Sequence, residues 1–445
     1  MTLFAMVIGL VAVLLFGGYI RDINYALQSD YVRLTGHLQI QRKNYFRYGS
    51  GNPAAYGIRD YQHILDVVKR DAVLAPMLVV ATPTLQFGGI AGNFAAGVSR
   101  TIYASGAVVE DQNRMHLWND YGMRVLSRHL TLSGTAPDSA VIGTGVARVL
   151  QLCGVLTVPD CEAVQTAVPT QGYALPDDIA ALAASQAPPP ADGQAAPARI
   201  EILATNAHGA PNVAAMNVLR AEFQGIKELD DVYVALHLSQ AQKLIFGAER
   251  PQVTALALQL QHTAQLPAAR ARIEELLVTT VKSEPLEVID YETLNPYYGQ
   301  TLAMFAAIFG FISVLIGGIV LFTVGNTMSM AVVERTAEIG TLRAIGLRRS
   351  GIRAMFVTEG IVLGVLGAGL GIVVAIGAAW AINELGLTWT PPGRIEPVAL
   401  AVRVASEHRM MLASAVGLVI VAALSAILPA ARAARMNIVD ALRHV

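Results

Sequence analysis

Charged residues are scarce in this chain. Asp, Glu, Lys and Arg make up 15% of its 445 residues, while 54% are hydrophobic. A soluble domain carries about 25% charged residues, so this deficit argues against a wholly soluble protein and predicts membrane residence. The formal net charge of −1 provides no basic excess for binding a polyanion, and no nucleic acid is therefore expected as a partner.

Motifs for catalysis and for metal binding are also missing. The sequence contains no GxxxxGK[ST] phosphate-binding loop, no CxxC, no HExxH and no GxSxG, and its nine histidines are scattered. The first absence excludes a recognisable ATPase, and the others leave no catalytic residue and no metal site to propose. We therefore expect a chain that is not an enzyme and that binds no cofactor of its own.

Cysteine is nearly absent. The two cysteines, Cys153 and Cys161, lie at the ends of the stretch CGVLTVPDC. In an oxidising compartment this spacing predicts a small-loop disulfide bond. Two buried free thiols are the alternative.

Long hydrophobic runs are what the chain does have. Four runs reach the roughly 18–20 apolar residues that a bilayer requires: Thr2–Ile20, Leu302–Val324, Ile361–Ile382 and Met410–Leu428. Between the second and third runs, the stretch Ala331–Arg353 carries five arginines against two acids, and the tail carries three against one. The positive-inside rule places both on the cytoplasmic side and residues 21–300 outside. Since the first run starts at Met1 without a basic flank or a cleavage site, we expect an uncleaved signal anchor and a short basic lead-in before Met1.

The outer segment has α/β periodicity. A strand–helix–strand pattern spans residues 35–82 and recurs over residues 253–289, which predicts one domain built from both ends of the segment. The predicted fold is an α-helical membrane protein with four transmembrane helices and a large α/β extracytoplasmic domain between helices 1 and 2. The predicted boundaries are 1–20, 301–325, 354–382 and 410–430 for the helices, 21–84 with 216–300 for the α/β domain, 85–215 for an inserted subdomain with a Pro/Ala linker at 183–198, 326–353 for a cytoplasmic segment, 383–409 for an outer loop and 431–445 for the tail.

The charged stretch between the second and third runs is the main candidate for a functional site. Arg335 and Glu338 are spaced to pair on one helical face, and Glu334 and Glu338 repel each other unless a basic partner meets them. Ile339, Leu342, Ala344 and Ile345 form an apolar stripe, and Gly346 is a natural helix stop. A helix held between two spans is well placed to receive a push from a cytoplasmic partner, although an ordinary amphipathic interfacial helix would have the same pattern.

The spans themselves contain three further features. Gly360, Gly364, Gly367 and Gly371 form a smooth face for close packing against another helix. Phe305, Phe309 and Phe311 could line a cavity for a lipid-like ligand, and bundle packing explains them equally well. Glu359 lies just before the third run, where a pair with a nearby arginine would satisfy it.

At these residues the chain resembles a known family, the four-span ABC transporter permeases of the MacB, LolC/LolE and FtsX-like type. The resemblance is carried by the following stretches: Asn326–Met328, Glu334-Arg335, Glu338–Gly340, Leu342–Gly346, Glu359-Gly360, Pro429-Ala430, Arg432–Arg435 and Ala441–Arg443. Gly36–Ile40 and Leu229–Leu238 are more similar to the lipoprotein-releasing branch. The Pro/Ala linker and the cysteine pair depart from that branch.

The resemblance implies a bacterial inner-membrane permease that pairs with a second copy or a paralogue and with two copies of a cytoplasmic ABC ATPase carrying ATP and Mg. It makes the charged stretch a coupling helix seated on that ATPase, through Glu334, Arg335, Glu338, Ile339, Gly340, Leu342, Arg343, Ala344, Ile345 and Gly346. The implied substrate is hydrophobic or lipidated, such as a lipoprotein, with a periplasmic carrier or adaptor as a further partner. Two alternatives stay open: a mechanotransmission permease that activates a periplasmic partner such as a cell-wall hydrolase, and a membrane receptor.

Overall fold

The structure, a computed structural model, describes residues 2–123, 129–158, 198–281, 284–390 and 397–436. The chain divides into two compact units. The membrane unit comprises Met1–Leu27, Tyr297–Trp389 and Pro397–Val445, and the outer unit comprises Gln28–Pro296 with Thr390–Glu396.

Thirteen α-helices occur in the described ranges. They are α1 (Thr2–Thr35), α2 (Tyr45–Tyr48), α3 (Tyr61–Arg70), α4 (Val109–His116), α5 (Thr144–Val149), α6 (Lys227–Asp230), α7 (Leu238–Phe246), α8 (Leu266–Thr279), α9 (Tyr291–Leu294), α10 (Pro296–Glu334), α11 (Thr336–Ala344), α12 (Arg349–Glu384) and α13 (His408–Arg435). Four of them, α1, α10, α12 and α13, are long and apolar enough to cross a membrane. The predicted fold class, four spans with an α/β domain after the first, is therefore confirmed.

The spanning helices are longer than their apolar runs. Helix α1 continues to Thr35 and α10 covers Pro296–Glu334, well beyond the predicted 1–20 and 301–325. A helix satisfies its backbone hydrogen bonds internally and can therefore continue from lipid into water. The hydrophobic runs predict where the helices lie in the bilayer, and they do not predict where the helices end.

The glycine face of α12 contacts two other helices. A Cβ atom at Gly360 would lie 2.9 Å from the Cβ of Ala426 in α13, and one at Gly364 would lie 3.1 Å from the Cβ of Ala422. Farther along, Gly367 and Gly371 face Met6 and Leu10 of α1, with 3.1 Å and 2.9 Å available. These four glycines therefore allow α12 to approach both neighbours more closely than any larger residue would.

We predict that Gly364→Leu lowers the melting temperature of the detergent-solubilised protein by several degrees, because a four-carbon side chain cannot fit against Ala422 and Val419 without separating α12 from α13. Gly369→Leu is the matched control, since a Cβ there meets open space. Differential scanning fluorimetry on both variants checks the prediction. Equal melting temperatures for the two variants would contradict it.

In its described residues, the outer unit is built on a nine-stranded sheet. Its strands are β1 (Leu38–Arg42), β2 (Leu78–Asn93), β3 (Val98–Ala107), β4 (Ser139–Gly143), β5 (Arg199–Thr205), β6 (Pro211–Glu222), β7 (Tyr233–His237), β8 (Ala255–Leu260) and β9 (Leu286–Asp290). Their order in the sheet is β3-β7-β4-β6-β5-β2-β8-β1-β9. A separate pair, β10 (Thr388–Trp389) with β11 (Val398–Ala399), belongs to the membrane unit.

The two strand–helix–strand patterns pair with each other in this sheet. Strand β1 lies between β8 and β9, antiparallel to both, and α3 and α8 contribute Ile64 and Ile273 to the same core. The predicted boundaries of an inserted subdomain, 84/85 and 215/216, fall inside β2 and β6. Strand β2 pairs with β8 over Leu78–Thr84 and then with β3 over Thr84–Asn93, so one long strand joins the two regions into a single sheet.

The predicted disulfide and linker fall largely outside the described residues. Cys153 is buried and disulfide-bonded, and Cys161 lies outside the described ranges. So does the Pro/Ala linker, except for Ala198.

A buried histidine follows α1. The His37 side chain is fully enclosed, its Nδ1 accepts a hydrogen bond from the Leu260 N–H at 3.0 Å, and its Nε2 lies 3.2 Å from the Thr263 hydroxyl. Burial lowers the pKa of His37 from 6.5 to about 4, with Asp120 opposing the shift. The ring is therefore neutral at physiological pH.

This geometry predicts an acid-sensitive outer unit. In the unfolded chain His37 takes up a proton near pH 6.5, whereas in the folded chain it does so only near pH 4. The folding free energy that depends on the neutral ring is therefore fully present above pH 6.5 and is lost as the pH falls to 4. The loss from this group is about 3 kcal/mol at most. Chemical denaturation from pH 7 to pH 4 checks it, with His37→Gln expected to flatten the profile. An unchanged profile in the variant would contradict this assignment.

Candidate functional site

The charged stretch forms a separate short helix, α11, after a break in the chain. Helix α10 ends at Glu334, and Arg335 leaves the helical conformation with φ −99° and ψ 20°. The Thr336 hydroxyl donates to the Val333 carbonyl at 2.8 Å and to the Val332 carbonyl at 3.2 Å. The carbonyl groups of Val332 and Val333 near the end of α10 are therefore hydrogen-bonded although the helix stops. The break is thus a defined structural feature.

Helix α11 ends with a glycine turn. Gly346 has φ +107°, its N–H donates to the Arg343 carbonyl, and the Leu347 N–H donates to the Leu342 carbonyl at 3.0 Å. This pair of bonds is the Schellman motif, which needs a residue that tolerates positive φ. Gly346 therefore acts as the helix stop that the sequence predicts.

One side of α11 is anchored in a small core. Ile339 is 1% exposed and Gly340 is buried. Ile339 belongs to a cluster whose other members come from α10, α12 and α13, namely Val332, Ile352, Phe356, Ala430, Ala433 and Ala434. This anchor fixes α11 against three long helices. It was missed in the sequence, although alanines three and four residues apart in α13 are a signal for close packing.

Two arginines of α11 and its flank have partners within the chain. The Arg343 guanidinium donates to the carbonyl oxygen of Met436, just past the end of α13, where cations also meet the negative end of the helix dipole. Arg335 pairs with Glu359 at 3.6 Å, the arginine partner that the sequence suggested for this acid. The first contact is half-buried and fixes α11 to α13, and the second is largely exposed and contributes little.

The remaining predicted residues point outward. Glu334, Glu338, Leu342, Ala344, Ile345 and Gly346 are exposed, and Ile345 is 80% exposed. Leu347, which is not among the predicted site residues, is exposed beside them. We call Glu338, Leu342, Ile345 and Leu347 the outward surface. This surface combines apolar side chains with an acid on a helix that is fixed by its core contacts, and it carries no catalytic group. It is therefore suited to the docking of a partner protein.

The three phenylalanines of α10 do not converge on one site. Phe309 stacks on Phe16 of α1 with ring centroids 6.2 Å apart, whereas Phe311 is 70% exposed. Phe305 is half-buried. Positions 309 and 311 lie on opposite sides of a helix, so these residues do not line one cavity within this chain. Among the described residues, no group of three or more His, Cys, Asp or Glu side chains could hold a metal ion.

Part of the membrane unit matches a known family model. Residues 307–438 match the family model described as FtsX-like permease C-terminal. The macrolide export ATP-binding/permease protein MacB of Brucella abortus (strain 2308) is 29% identical over 174 residues, which are 38% of this chain and 26% of that protein. The ABC transporter permease YtrF of Bacillus subtilis (strain 168) is 46% identical over 74 residues, 17% of this chain and 16% of that protein.

Two further similarities accompany these. The pyoverdine export ATP-binding/permease protein PvdT of Pseudomonas syringae pv. syringae (strain B728a) is 32% identical over 172 residues, 36% of this chain and 25% of that protein. The crystal structure of the periplasmic region of MacB from Actinobacillus actinomycetemcomitans is 10% identical and covers 60% of this chain and 94% of that one, with a TM-score of 0.33. The matches to MacB and PvdT span about a quarter of the length of those curated relatives.

Proposed function

We propose that this chain, an ABC transporter permease of the MacB/FtsX family, is driven by a separate cytoplasmic ATPase that docks on α11. The observation that carries the proposal is the two-sided construction of α11. Ile339 and Arg343 fasten it to α12 and α13, while Ile345 and its neighbours stand exposed. A helix that binds on one side and is anchored on the other can pass a push to the spanning helices.

Comparison supports an ATPase as the energy source. Two of the similar proteins have names that join an ATP-binding function to a permease. We propose that two copies of the ATPase, carrying ATP and Mg, act on two permeases, with the second permease a copy or a paralogue. The cytoplasmic side of a bacterial inner membrane is the location that the arginine-rich connection favours.

We further propose that the cargo is hydrophobic or lipidated and is extracted or exported at the outer face of that membrane. The similar proteins named for macrolide and pyoverdine export support export, and the likeness of Gly36–Ile40 to the lipoprotein-releasing branch supports a lipidated cargo such as a lipoprotein. A periplasmic carrier or adaptor would receive it.

Affinity purification of the full chain from its native membrane tests this function. We expect an ATPase with a phosphate-binding loop to co-purify at one copy per permease, together with a lipoprotein or a lipid-like compound. A periplasmic hydrolase in place of the cargo would favour the mechanotransmission alternative. Purification without any ATPase would overturn the proposal and would leave a receptor as the remaining alternative.

A further inference from the structure

Six strands of the outer unit form a closed ring. The sheet order runs from β3 through β7, β4, β6 and β5 to β2, and β2 pairs in turn with β3. Closure of a sheet on itself removes the free strand edges to which another chain could add. A stretch that stays unpaired within such a ring is therefore a candidate binding site.

Strand β6 contains such a stretch. On one side it pairs with β5 over residues 211–217, whereas on the other side its ladder with β4 covers only residues 217–222. The chain enters β4 through a turn in which the Ser139 N–H donates to the Ala136 carbonyl. In the described part of the chain, no strand pairs with residues 211–216 on the β4 side.

The backbone groups of Val213 and Ala215 point toward this open side. The Val218 N–H donates to the Ala198 carbonyl on the β5 side at 2.7 Å. Because paired and unpaired residues alternate along an antiparallel ladder, residues at an odd spacing from Val218 direct their N–H and C=O groups away from β5. Within the described ranges, the Ala215 N–H and the carbonyl groups of Val213 and Ala215 have no hydrogen-bond partner, and the Val213 N–H has only the adjacent Asn212 Oδ1, at 3.0 Å.

A groove of about 540 Å³ lies on this open side, between β6 and α7. Asn212, Val213 and Ala215 line it from β6, and Lys243 and Leu244 line it from α7. The Asn212 side-chain amide donates to the Leu244 carbonyl at 2.8 Å and so joins the two walls. We call this site the β6 groove.

Apolar side chains next to the β6 groove form a row across three strands. Ile90 of β2 is the register partner of Leu203 in β5, and Leu203 is the register partner of Val213. Residues directly opposite each other share one face of a sheet, and these three side chains are exposed by 43%, 37% and 57%. A strand added beside β6 would extend the row, so we expect it to place an apolar residue opposite Val213.

The charge of the β6 groove is positive. Lys243 is exposed, and it is the only charged side chain among the residues that line the groove. An acidic segment is therefore favoured as the occupant. A second copy of this chain, paired through the same edge, would bring its own Lys243 to the groove, and like charges oppose that pairing.

We propose that the β6 groove binds an extended, acidic segment of a partner protein, which adds to β6 as a further strand. Its backbone exchanges hydrogen bonds with Val213 and Ala215, an apolar side chain continues the exposed row, and a carboxylate meets Lys243. This inference goes beyond the proposed function, and its tests involve no ATPase. Its failure and the failure of the proposed function are therefore distinguishable.

Fluorescence anisotropy on the detergent-solubilised full chain tests the chemistry of the occupant. The probe is a labelled peptide of about eight residues in which valine alternates with glutamate. We expect it to bind at least tenfold more tightly than the same peptide with lysine in place of glutamate, or than the same peptide methylated at every backbone nitrogen, which cannot donate hydrogen bonds. No saturable binding of the acidic peptide, or equal binding of the three, would overturn the proposal.

Two variants of the chain locate the binding. Ala215→Pro removes the open N–H and places a ring on that side without removing a bond to β5, and it should weaken binding of the acidic peptide at least tenfold. Lys243→Glu should reverse the preference in favour of the lysine peptide. Lys69→Glu, at an exposed position of α3, is the control and should bind as wild type does.

Melting temperatures close to that of wild type would separate a blocked edge from a misfolded outer unit. Wild-type affinity in a folded Ala215→Pro variant, or an unchanged preference in Lys243→Glu, would overturn the proposal. Analytical ultracentrifugation tests the other occupant: a wild-type dimer that Ala215→Pro dissociates would assign the edge to a second copy and would also overturn the proposal.

Discussion

Ile345→Asp is expected to reduce the amount of ATPase that co-purifies with the permease at least tenfold. Ile345 is 80% exposed at the tip of α11, and burial of an isoleucine in an interface contributes about 1.5–3 kcal/mol. Loss of that burial, with a desolvated charge in its place, exceeds the roughly 1.4 kcal/mol that corresponds to a tenfold change in affinity. Quantitative pull-down from membranes provides the measurement.

Glu338→Lys is expected to weaken the same association without affecting membrane insertion, because it reverses the charge of the outward surface. Glu338→Gln and Ile345→Val are the matched conservative variants, and both should retain most of the binding. Normal ATPase association in Glu338→Lys and in Ile345→Asp together would refute the docking assignment.

Arg343→Glu tests the attachment of α11 to the end of α13 together with the docking of the ATPase on α11. The sequence presents Arg343 as a docking residue, but in the structure its guanidinium binds the Met436 carbonyl. We therefore expect this variant to lower both ATPase association and the melting temperature of the membrane unit, whereas Ile345→Asp should lower only the first. This difference distinguishes a residue that positions α11 from one that contacts the partner.

The second large effect concerns Asp230 in the outer unit. Asp230 is 4% exposed, and its carboxylate accepts hydrogen bonds from the Thr144 N–H and the Gly145 N–H, both at 2.9 Å, and from the Thr144 hydroxyl. The Gln224 N–H adds a fourth bond at 3.2 Å. The carboxylate thus serves the first amides of α5 and one loop amide at the same time.

Asp230→Ala is expected to destabilise the outer unit by about 3 kcal/mol or more, because several buried donors lose a charged acceptor at once. The backbones of the two segments also lie close together, since a Cβ at Gly143 would lie 2.0 Å from the Asp230 carbonyl oxygen. Urea denaturation of the full chain measures the change. Asp66→Ala is the control, since its pair with Arg70 is exposed and worth under about 1 kcal/mol; equal midpoints for the two variants would be evidence against the role of Asp230.

Local patterns were sufficient for several elements of this fold. Alternating residues after Thr35 and before Gln261 predict β1 and β8, and the spacing of Ile64, Leu65 and Val68 predicts α3. The joining of the two halves of the outer unit was not predictable in this way. It depends on β2, which changes partners along its length from β8 to β3, and the pattern of one strand carries no information about its neighbour.

By itself, the sequence determined the four spans, the side of the membrane on which α11 is expected and the stop at Gly346, because hydrophobicity, charge bias and glycine act through residues near one another in the chain. Only the tertiary structure decided which side of α11 is free. The packing of Ile339, the bond from Arg343 to Met436 and the ion pair between Asp22 and Arg403 join residues tens to hundreds of positions apart. Such contacts follow from the path of the whole chain, and no local pattern contains that path.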